Sequence, residues 1–299
     1  MLQLRSGGGR RRWVAEGGGG WRQMAEGGGG WPVAGGRRIC AMAVDRLYTF
    51  SLGELPVPLE LMAPGHDPAD LGPVPMGTIL AHAPEGWFMF DVGLSVDFRR
   101  PEVHEPLFVW GAPLLPGTGD PLLAALAACG VGLDEIEAVV LSHLHNDHTG
   151  GLRHFGGERR TPVLVQQAEL DYVASGQAGA FVRPADWEPY GVEFRGLHGA
   201  TTIATGIEAI PSPGHTPGHQ SFLITLSSGA RYLFAYDALP LTLNLELDVV
   251  TTILALDASV ARATQDMLLQ RATAARARLV PGHCPVAWAT LPQPPACLS

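Results

Sequence analysis

Lysine is missing from this chain: all twenty basic side chains among its 299 residues are arginine. This excludes reactions that need a lysine Schiff base, and it excludes a Walker-type phosphate loop, whose lysine contacts the nucleotide phosphates. Cysteine is scarce as well. Cys40, Cys129, Cys284 and Cys297 show no Cys-X-X-Cys spacing, and four are too few for a disulfide framework in a chain of this length.

Long apolar runs are also missing. No stretch reaches the roughly 18 apolar residues that a membrane span needs, so the sequence predicts no transmembrane helix. The arginine-rich start is not followed by the apolar segment of about 7–15 residues that a secretory signal carries. Together with the few cysteines, these absences predict a protein of the reducing cytoplasm.

Charge is unevenly distributed around a formal net value of −9. Residues 1–41 carry seven arginines and two glutamates, whereas the chain from Met42 onward carries thirteen arginines against twenty-seven acids. An acidic body repels a phosphate backbone, so nucleic acid is not expected as a partner, and neither is a membrane. We expect a small-molecule substrate; the oligomeric state stays open, a homodimer included.

Residues 1–41 are low in complexity, with AEGGGGW at 15–21 and again at 25–31. So much glycine costs more backbone entropy than so short a segment recovers by folding. We therefore predict a disordered Gly/Arg-rich tail at 1–41, with the hypothesis that the native protein starts at Met42. Residues 42–299 are predicted to form a single domain.

Beyond the tail, predicted strands alternate with predicted helices. The sequence predicts a helix over 121–129, with Asp120 as N-cap and Gly130 as its stop, and an amphipathic helix over 257–277. Strands are predicted at 46–55, 57–62, 137–142, 192–196 and 278–283, with hairpins over 77–93 and 221–237. This pattern indicates an α/β fold in which two sheets lie between helical layers.

Four metal-type donors crowd the segment LSHLHNDHTGG at 141–151. His143 and His145 alternate at the end of a predicted strand and so point to the same side, and Asp147 and His148 follow at the turn. The alternative is a polar loop whose histidines only form hydrogen bonds. The density of donors favours a metal site.

Three further donors follow predicted apolar strands. His215 lies in IPSPGHTPGH, Asp237 in YLFAYDA and His283 in LVPGHCP. Each alone has an equally good structural explanation, but together with the histidine cluster they indicate one shared site.

These motifs resemble those of the metallo-β-lactamase superfamily over about residues 45–290. The resemblance implies an αββα four-layer sandwich with a dinuclear metal site along one edge. It implies that His143, His145 and His215 hold one ion, that Asp147, His148 and His283 hold the second, and that Asp237 bridges them. It also implies that Asp91 in FMFDVG orients a ligand histidine.

Within the superfamily, three segments are similar to the N-acyl homoserine lactonases: SHLHNDHTGGL, VQQAEL at 165–170 and PGHTPGHQSFLI at 213–224. His219 belongs to the last motif, where the resemblance implies a supporting role rather than metal ligation. Two positions depart from the pattern. Pro240 replaces a tyrosine that contacts the substrate carbonyl, and Asn146 stands where an aromatic residue is common.

The resemblance implies a dinuclear metal-dependent hydrolase that opens lactone or ester bonds, with quorum-quenching N-acyl homoserine lactones as favoured substrates and promiscuous phosphotriester hydrolysis. Two divalent ions, zinc first and otherwise manganese, iron or cobalt, would activate water near neutral pH. Asp147 or Asp237 would then pass a proton to the leaving oxygen. The alternatives are a glyoxalase II-like thioester hydrolase and a non-catalytic binding module of the same fold.

Three further side chains near these motifs need a decision between site and core. Phe181 and Trp187 fit a loop that lines the substrate pocket, but core packing explains them equally well. Cys284 follows His283 directly and therefore points to the opposite face of a strand, which predicts a buried structural thiol rather than a nucleophile.

Overall fold

The computed structural model describes residues 12–16, 20–24, 43–67, 69–251 and 255–299, the first two ranges by their backbone alone. The strands are β1 (Arg12–Glu16), β2 (Gly20–Met24), β3 (Arg46–Pro58), β4 (Leu71–Ala83), β5 (Gly86–Phe90), β6 (Ile136–Val140), β7 (Val163–Gln166), β8 (Glu193–Leu197), β9 (Thr201–Ala204), β10 (Ile207–Pro211), β11 (Gln220–Thr225), β12 (Arg231–Tyr236) and β13 (Arg278–Pro281). The helices are α1 (Leu59–Met62), α2 (Pro101–His104), α3 (Pro121–Cys129), α4 (Asn146–Thr149), α5 (Gln167–Ala174), α6 (Leu243–Glu246), α7 (Ala258–Ala275) and α8 (Pro285–Ala289).

Over the described residues the strands form two mixed sheets. The first has the order β2-β1-β8-β7-β6-β5-β4-β3, and the second has the order β13-β12-β11-β10-β9. In the first sheet β5, β6, β7 and β8 run parallel, whereas β3, β4 and β5 form an antiparallel meander. The antiparallel component predicted from the hairpins is therefore confirmed.

The molecule has four layers, which pack against one another through apolar side chains. Leu126 of α3 and Leu170 of α5 pack on the outer face of the first sheet. Phe90 and Phe222 meet between the two sheets, with ring centroids 4.8 Å apart. Leu268 of α7 packs on the outer face of the second sheet. This helix–sheet–sheet–helix arrangement confirms the predicted αββα sandwich.

Most predicted elements are present, and one is wrong. Helix α3 begins after Asp120, whose side chain accepts a hydrogen bond from the amide of Leu122, and it ends at Gly130 with φ 68°. The predicted strand at 57–62 is instead the end of β3 followed by one helical turn, α1. An apolar run of six residues carries too little periodicity to distinguish the two.

The segment predicted to be disordered contains two short strands. β1 and β2 form an antiparallel hairpin, and β1 pairs with β8 at the edge of the first sheet, with Trp13 opposite Phe194. An edge strand offers unpaired amides and carbonyls to a neighbouring segment, which accounts for this pairing. The remainder of 1–41 lies outside the described residues, and the domain boundary at 41/42 stays a prediction.

The carboxyl ends of several strands meet at one edge of the sandwich. β5 and β6 are parallel neighbours in the first sheet, and in the second sheet β10, β12 and β13 all run in one direction. Loops that follow these five strands therefore lie side by side. Within the part of the chain described, no helix has the length and apolar character to cross a membrane.

Candidate metal centre

The histidine-rich loop after β6 is held by a close approach of two backbones. The amide of Gly150 donates to the carbonyl of Gly93 at 2.6 Å, and the amide of Val92 donates to the carbonyl of His148 at 2.9 Å. A Cβ at Gly150 would lie 1.9 Å from the amide nitrogen of Ser95, so only glycine fits. This contact fixes the end of α4, the helical turn that carries Asp147 and His148.

Three other loops bring donors to the same edge. His215 lies in the loop between β10 and β11, Asp237 follows β12, and His283 follows β13. All three residues are buried, at 5% exposure or less. The structure thus places all seven sequence-predicted donors together.

The donor atoms form three overlapping triads, each within 4.8 Å. They are His143, His145 and His215; His143, His148 and Asp237; and Asp147, His148 and His283. The oxygens of Asp237 face both ends of the cluster: Oδ2 lies 3.4 Å from Nε2 of His215, and Oδ1 lies 3.1 Å from Nε2 of His283. Asp237 therefore lies between the two groups of donors.

The donor geometry fits metal ions. Nε2 of His215 lies 3.0 Å from both Nε2 of His143 and Nδ1 of His145. Nitrogens around one tetrahedral zinc ion, with bonds of about 2.0–2.1 Å, are roughly 3.3 Å apart. Nε2 of His148 is buried, and Oδ2 of Asp147 at 3.4 Å and Oδ1 of Asp237 at 3.3 Å approach it without forming a well-aligned hydrogen bond. A buried nitrogen of this kind needs a partner, and a cation beside Asp147 and Asp237 supplies one. These groups could therefore hold metal ions.

Burial keeps three of the imidazoles neutral. It lowers the pKa of His145 and of His215 to about 4 and holds the pKa of His143 well below its usual value. A neutral imidazole has a free lone pair at neutral pH, which is the form that binds a metal.

The opposite end of the cluster has paired charges. Burial by itself would lower the pKa of His148, but the carboxylates of Asp147 and Asp91 raise it well above the ordinary value. The pKa of His283 rises to about 9 because the attraction of Asp237 outweighs burial. Burial would raise the pKa of Asp147, but His148 lowers it to about 2. These histidines bind protons at the same nitrogens that would bind a metal, so protons and metal cations compete for those atoms.

Asp91 and His219 contact the donors from behind. Asp91 accepts hydrogen bonds from the amide of Ser142 at 2.7 Å and from its hydroxyl at 2.8 Å, and its Oδ2 lies 2.7 Å from Nδ1 of His148. Nδ1 of His219 lies 2.8 Å from the hydroxyl of Ser212, and its ring centroid is 5.3 Å from that of His143. The positions suit the orienting and supporting roles expected of them, which stay proposals.

Glu169 is a residue that sequence reasoning missed. Its carboxylate is fully buried and accepts a hydrogen bond from the amide of Leu144 at 3.1 Å and from that of Gly218 at 3.1 Å. It therefore ties the loop of His143 to the loop of His215. In the sequence, Glu169 is only a charged residue in the first turn of α5, and that feature by itself is typical of a surface helix.

A cavity of about 180 Å³ opens beside the donors. Apolar side chains form most of its wall, and the donors His145, Asp147, His215, Asp237 and His283 form its floor together with Asn146. The apolar lining residues are Leu55, Val57, Leu61, Met62, Phe108, Trp110 and Phe181. This combination suits a ligand with an apolar chain and a polar head.

The structure shows which side chains near the donors line the cavity and which belong to the core. Phe181 lines the cavity, 5.8 Å from the ring of His145, whereas Trp187 is fully buried against Phe194 in the core. Cys284 is buried with its sulfur 3.3 Å from the hydroxyl of Thr242, and it does not line the cavity. The carbonyl of Pro240 accepts the amide of His283 at 2.9 Å, so Pro240 supports a donor loop.

The fold and the donor set define a member of the metallo-beta-lactamase superfamily, whose family profile matches residues 77–283; the chain belongs to this superfamily. It is 29% identical over 239 residues to the N-acyl homoserine lactonase AttM of Rhizobium johnstonii, covering 74% of this chain and 86% of the relative. It is 28% identical over 210 residues to an N-acyl homoserine lactonase of a Bacillus species, covering 70% and 81%.

Solved structures of similar fold agree with this assignment. An N-acyl homoserine lactone hydrolase with the product N-hexanoyl-L-homoserine bound at its catalytic metal center superposes with a TM-score of 0.75. The match covers 86% of this chain and 100% of that chain at 22% identity. The resemblance stated from the motifs is thereby confirmed at the level of family and fold.

Proposed function

We propose that this protein is a metal-dependent hydrolase that opens the lactone ring of N-acyl homoserine lactones. The observation that carries the proposal is the set of three His/Asp triads at the floor of an apolar cavity. The apolar wall suits an acyl chain, and the floor suits the ring and its scissile carbonyl. The lactonase relatives support the same substrate class.

The seven donors divide between two divalent ions, for which zinc is our first choice. We assign His143, His145 and His215 to one ion and Asp147, His148 and His283 to the other. Asp237 would bridge them, since its Oδ2 lies 3.4 Å from Nε2 of His215 and 3.3 Å from Nε2 of His283, and its Oδ1 lies 3.1 Å from Nε2 of His283. Histidine with carboxylate suits manganese, iron or cobalt as well, so elemental analysis has to decide.

When bound, the ions would supply a water nucleophile at neutral pH and polarise the scissile carbonyl. The side chains of the protein would exclude bulk water, through the apolar wall of the cavity, and would transfer one proton. Ring opening leaves an alkoxide that must be protonated, and the proton is the one that the attacking water gives up to a carboxylate. Asp147 lines the cavity and is the more exposed of the two carboxylates, at 12% against 7% for Asp237. We assign the proton transfer to Asp147, with Asp237 as the second candidate.

A substrate panel on the purified, metal-analysed protein tests the proposal. N-hexanoyl homoserine lactone, S-lactoylglutathione, paraoxon and a cephalosporin would be compared by kcat/KM. We expect the homoserine lactone to lead, about two metal ions per chain, and loss of both metal and activity in Asp237→Ala. A wide lead for the thioester would replace the proposed substrate with the glyoxalase II-like alternative. A metal-free protein without hydrolase activity would favour a binding module.

Two expectations from the sequence also stay predictions. Cell fractionation tests the cytoplasmic location, and sedimentation of the purified protein tests whether it forms a homodimer.

A further inference from the structure

Arg183 contacts two segments of the chain from a position behind the cavity wall. Its side chain is 19% exposed and does not line the cavity. Its Nη2 donates to Oδ2 of Asp97 at 3.0 Å, and its Nη1 donates to Oδ1 of Asp186. The guanidinium also lies over the ring of Phe98, with Cζ 5.4 Å from the ring centroid. One side chain thus connects its own segment to the segment of Asp97 and Phe98.

Both of these segments support aromatic side chains of the cavity wall. Phe181 lies two residues before Arg183 and lines the cavity. On the other side of the guanidinium, the ring of Phe98 packs edge-to-face on that of Phe108, with centroids 5.6 Å apart. Phe108 lines the cavity as well. Arg183 therefore lies between the supports of two wall segments that are distant in sequence.

The wall segment of Phe181 is itself fixed to α4, which carries metal donors. The amide of Asn146 donates to the carbonyl of Phe181 at 2.8 Å. The hydroxyl of Thr149 donates to the buried carboxylate of Asp186 at 3.2 Å. Arg183 therefore extends from a fixed segment, and the position of the other wall segment relative to the donors depends on the contacts that Arg183 makes.

We infer that Arg183 is a positioning residue that sets the separation between these two wall segments and thereby the preference for long acyl chains. This inference rests on the proposed lactonase function and deepens it. A guanidinium is planar and has five donors in a fixed fork, so it binds two carboxylates and stacks on a ring at once, which a lysine ammonium cannot do. With the lactone ring at the cavity floor, a shift of the wall changes contact with the acyl chain and leaves the metal donors in place.

Two homoserine lactones that differ in chain length test this role. Arg183→Lys keeps the positive charge beside Asp97 and Asp186 and loses the planar fork. We expect its KM for N-decanoyl homoserine lactone to rise about 4- to 15-fold, which corresponds to lost contact with one or two methylene groups. Its kcat should change less than about twofold, because the lost contact is shared by the ground state and the transition state. For N-butanoyl homoserine lactone, which lacks the distal part of the chain, both constants should change less than about twofold.

Arg153→Lys serves as the matched control. The side chain of Arg153 is 17% exposed and also pairs with a carboxylate, Oδ2 of Asp120 at 2.7 Å, and neither residue lines the cavity. This substitution should leave the ratio of the two KM values unchanged.

Asp97→Ala provides a second variant in case the buried Asp186 does not tolerate a change at Arg183. It removes the contact of Arg183 with the segment of Phe98 and leaves Asp186 paired, so the protein should fold. Its KM for N-decanoyl homoserine lactone should rise in the same selective way.

The pattern of the kinetic constants separates positioning from a loss of folded protein. A smaller folded fraction lowers the apparent kcat for both lactones by one factor and leaves both KM values unchanged. The metal content of Arg183→Lys, measured by elemental analysis, should equal that of the wild type.

An equal rise in both KM values, an unchanged KM for N-decanoyl homoserine lactone, or the same selective rise in Arg153→Lys would overturn the role of Arg183 while leaving the lactonase function intact. A wild-type protein that hydrolyses neither lactone would overturn the proposed function and this inference together.

Discussion

Asp91 shows how one side chain fixes the position of others. It adopts a left-handed backbone conformation with φ 51°, which is uncommon for a residue other than glycine. This conformation turns its carboxylate towards Ser142 and Nδ1 of His148 at the start of the donor loop. A carboxylate behind a ligand histidine fixes its tautomer and ring orientation. We therefore expect Asp91 to influence metal binding through His148.

Replacement of Asp91 by asparagine should weaken metal binding. We expect Asp91→Asn to lower metal affinity about 10- to 100-fold while the fold persists, because removal of such a partner leaves the ligand histidine poorly oriented. Competition with a chelator measures the affinity.

Asp45 offers a matched control for Asp91, because it also pairs with a histidine, Nδ1 of His82 at 2.6 Å, in an exposed position away from the donors. Asp45→Asn should leave metal affinity unchanged. Equal effects of the two substitutions would argue against the role of Asp91.

The residues that sequence reasoning found and missed differ in one physical respect. His215, Asp237 and His283 each terminate an apolar strand, which is a local pattern. Glu169 acts by joining two loops distant in sequence, and no local pattern records that contact. The contacts of Arg183 with a distant segment are likewise visible only when all neighbouring groups are placed.

Asp120, the N-cap residue of α3, makes further contacts besides the cap itself. Asp120 accepts the amide of Leu122 at 3.0 Å, and its Oδ2 also lies 2.7 Å from Nη2 of Arg153 and 2.9 Å from Nε2 of His154. Burial alone would raise the pKa of Asp120, but the hydrogen bonds from His154 and Arg153 lower it well below the ordinary value. A depressed carboxylate pKa stabilises the folded state above about pH 3.9, the unfolded value, and this contribution disappears as the pH falls further.

Two substitutions at Asp120 separate charge from capping. Asp120→Asn retains the cap and loses the ion pairs, so we expect the free energy of unfolding at pH 7 to fall by about 1–3 kcal/mol. The difference from wild type should shrink below about pH 4, where the carboxylate begins to be protonated in the unfolded chain but not yet in the folded protein. Asp120→Ala should lose about 1 kcal/mol more at every pH, because it also removes the cap. Urea unfolding at pH 7 and pH 3 measures both, and a pH-independent effect of Asp120→Asn would contradict the role of the charge.

An element whose ends are marked by capping residues, proline or glycine could be predicted from the sequence, and an element without such residues could not. The capping residue, proline and glycine of α3 mark both of its ends. The turn α1 has no such signals; it forms where the amide of Leu59 bonds to the carbonyl of Asp70 at the far end of the β3–β4 pairing. Tertiary contact thus decides the conformation of a short apolar run that could form strand or helix.

At the scale of the whole molecule, the donors are divided between the two sheets. His143, His145, Asp147 and His148 follow β6 of the first sheet, whereas His215, Asp237 and His283 follow strands of the second. Ions held by these donors would connect the two sheets, and their binding would stabilise the folded state over the unfolded one.

Removal of metal should lower the thermal stability of the whole domain. At an ion concentration of about 1,000 times the Kd, binding adds about 4 kcal/mol to the free energy of unfolding. For a domain of this size, removal of the ions by a chelator should therefore lower the Tm by about 10 °C. Differential scanning calorimetry with and without a chelator measures the shift. In Asp237→Ala the chelator should have little effect, and an equal shift in both proteins would show that the stabilising ion binds elsewhere.

The order of the donors along the chain has a consequence for biosynthesis. Four of them are translated close together, but His283 follows β13, the last strand of the second sheet, and β13 pairs in parallel with β12. A nascent polypeptide that has emerged only as far as Asp237, directly after β12, carries six donors and lacks the strand that places the seventh. The ribosome must therefore deliver the chain through β13 and His283 before the full set of donors can hold its ions.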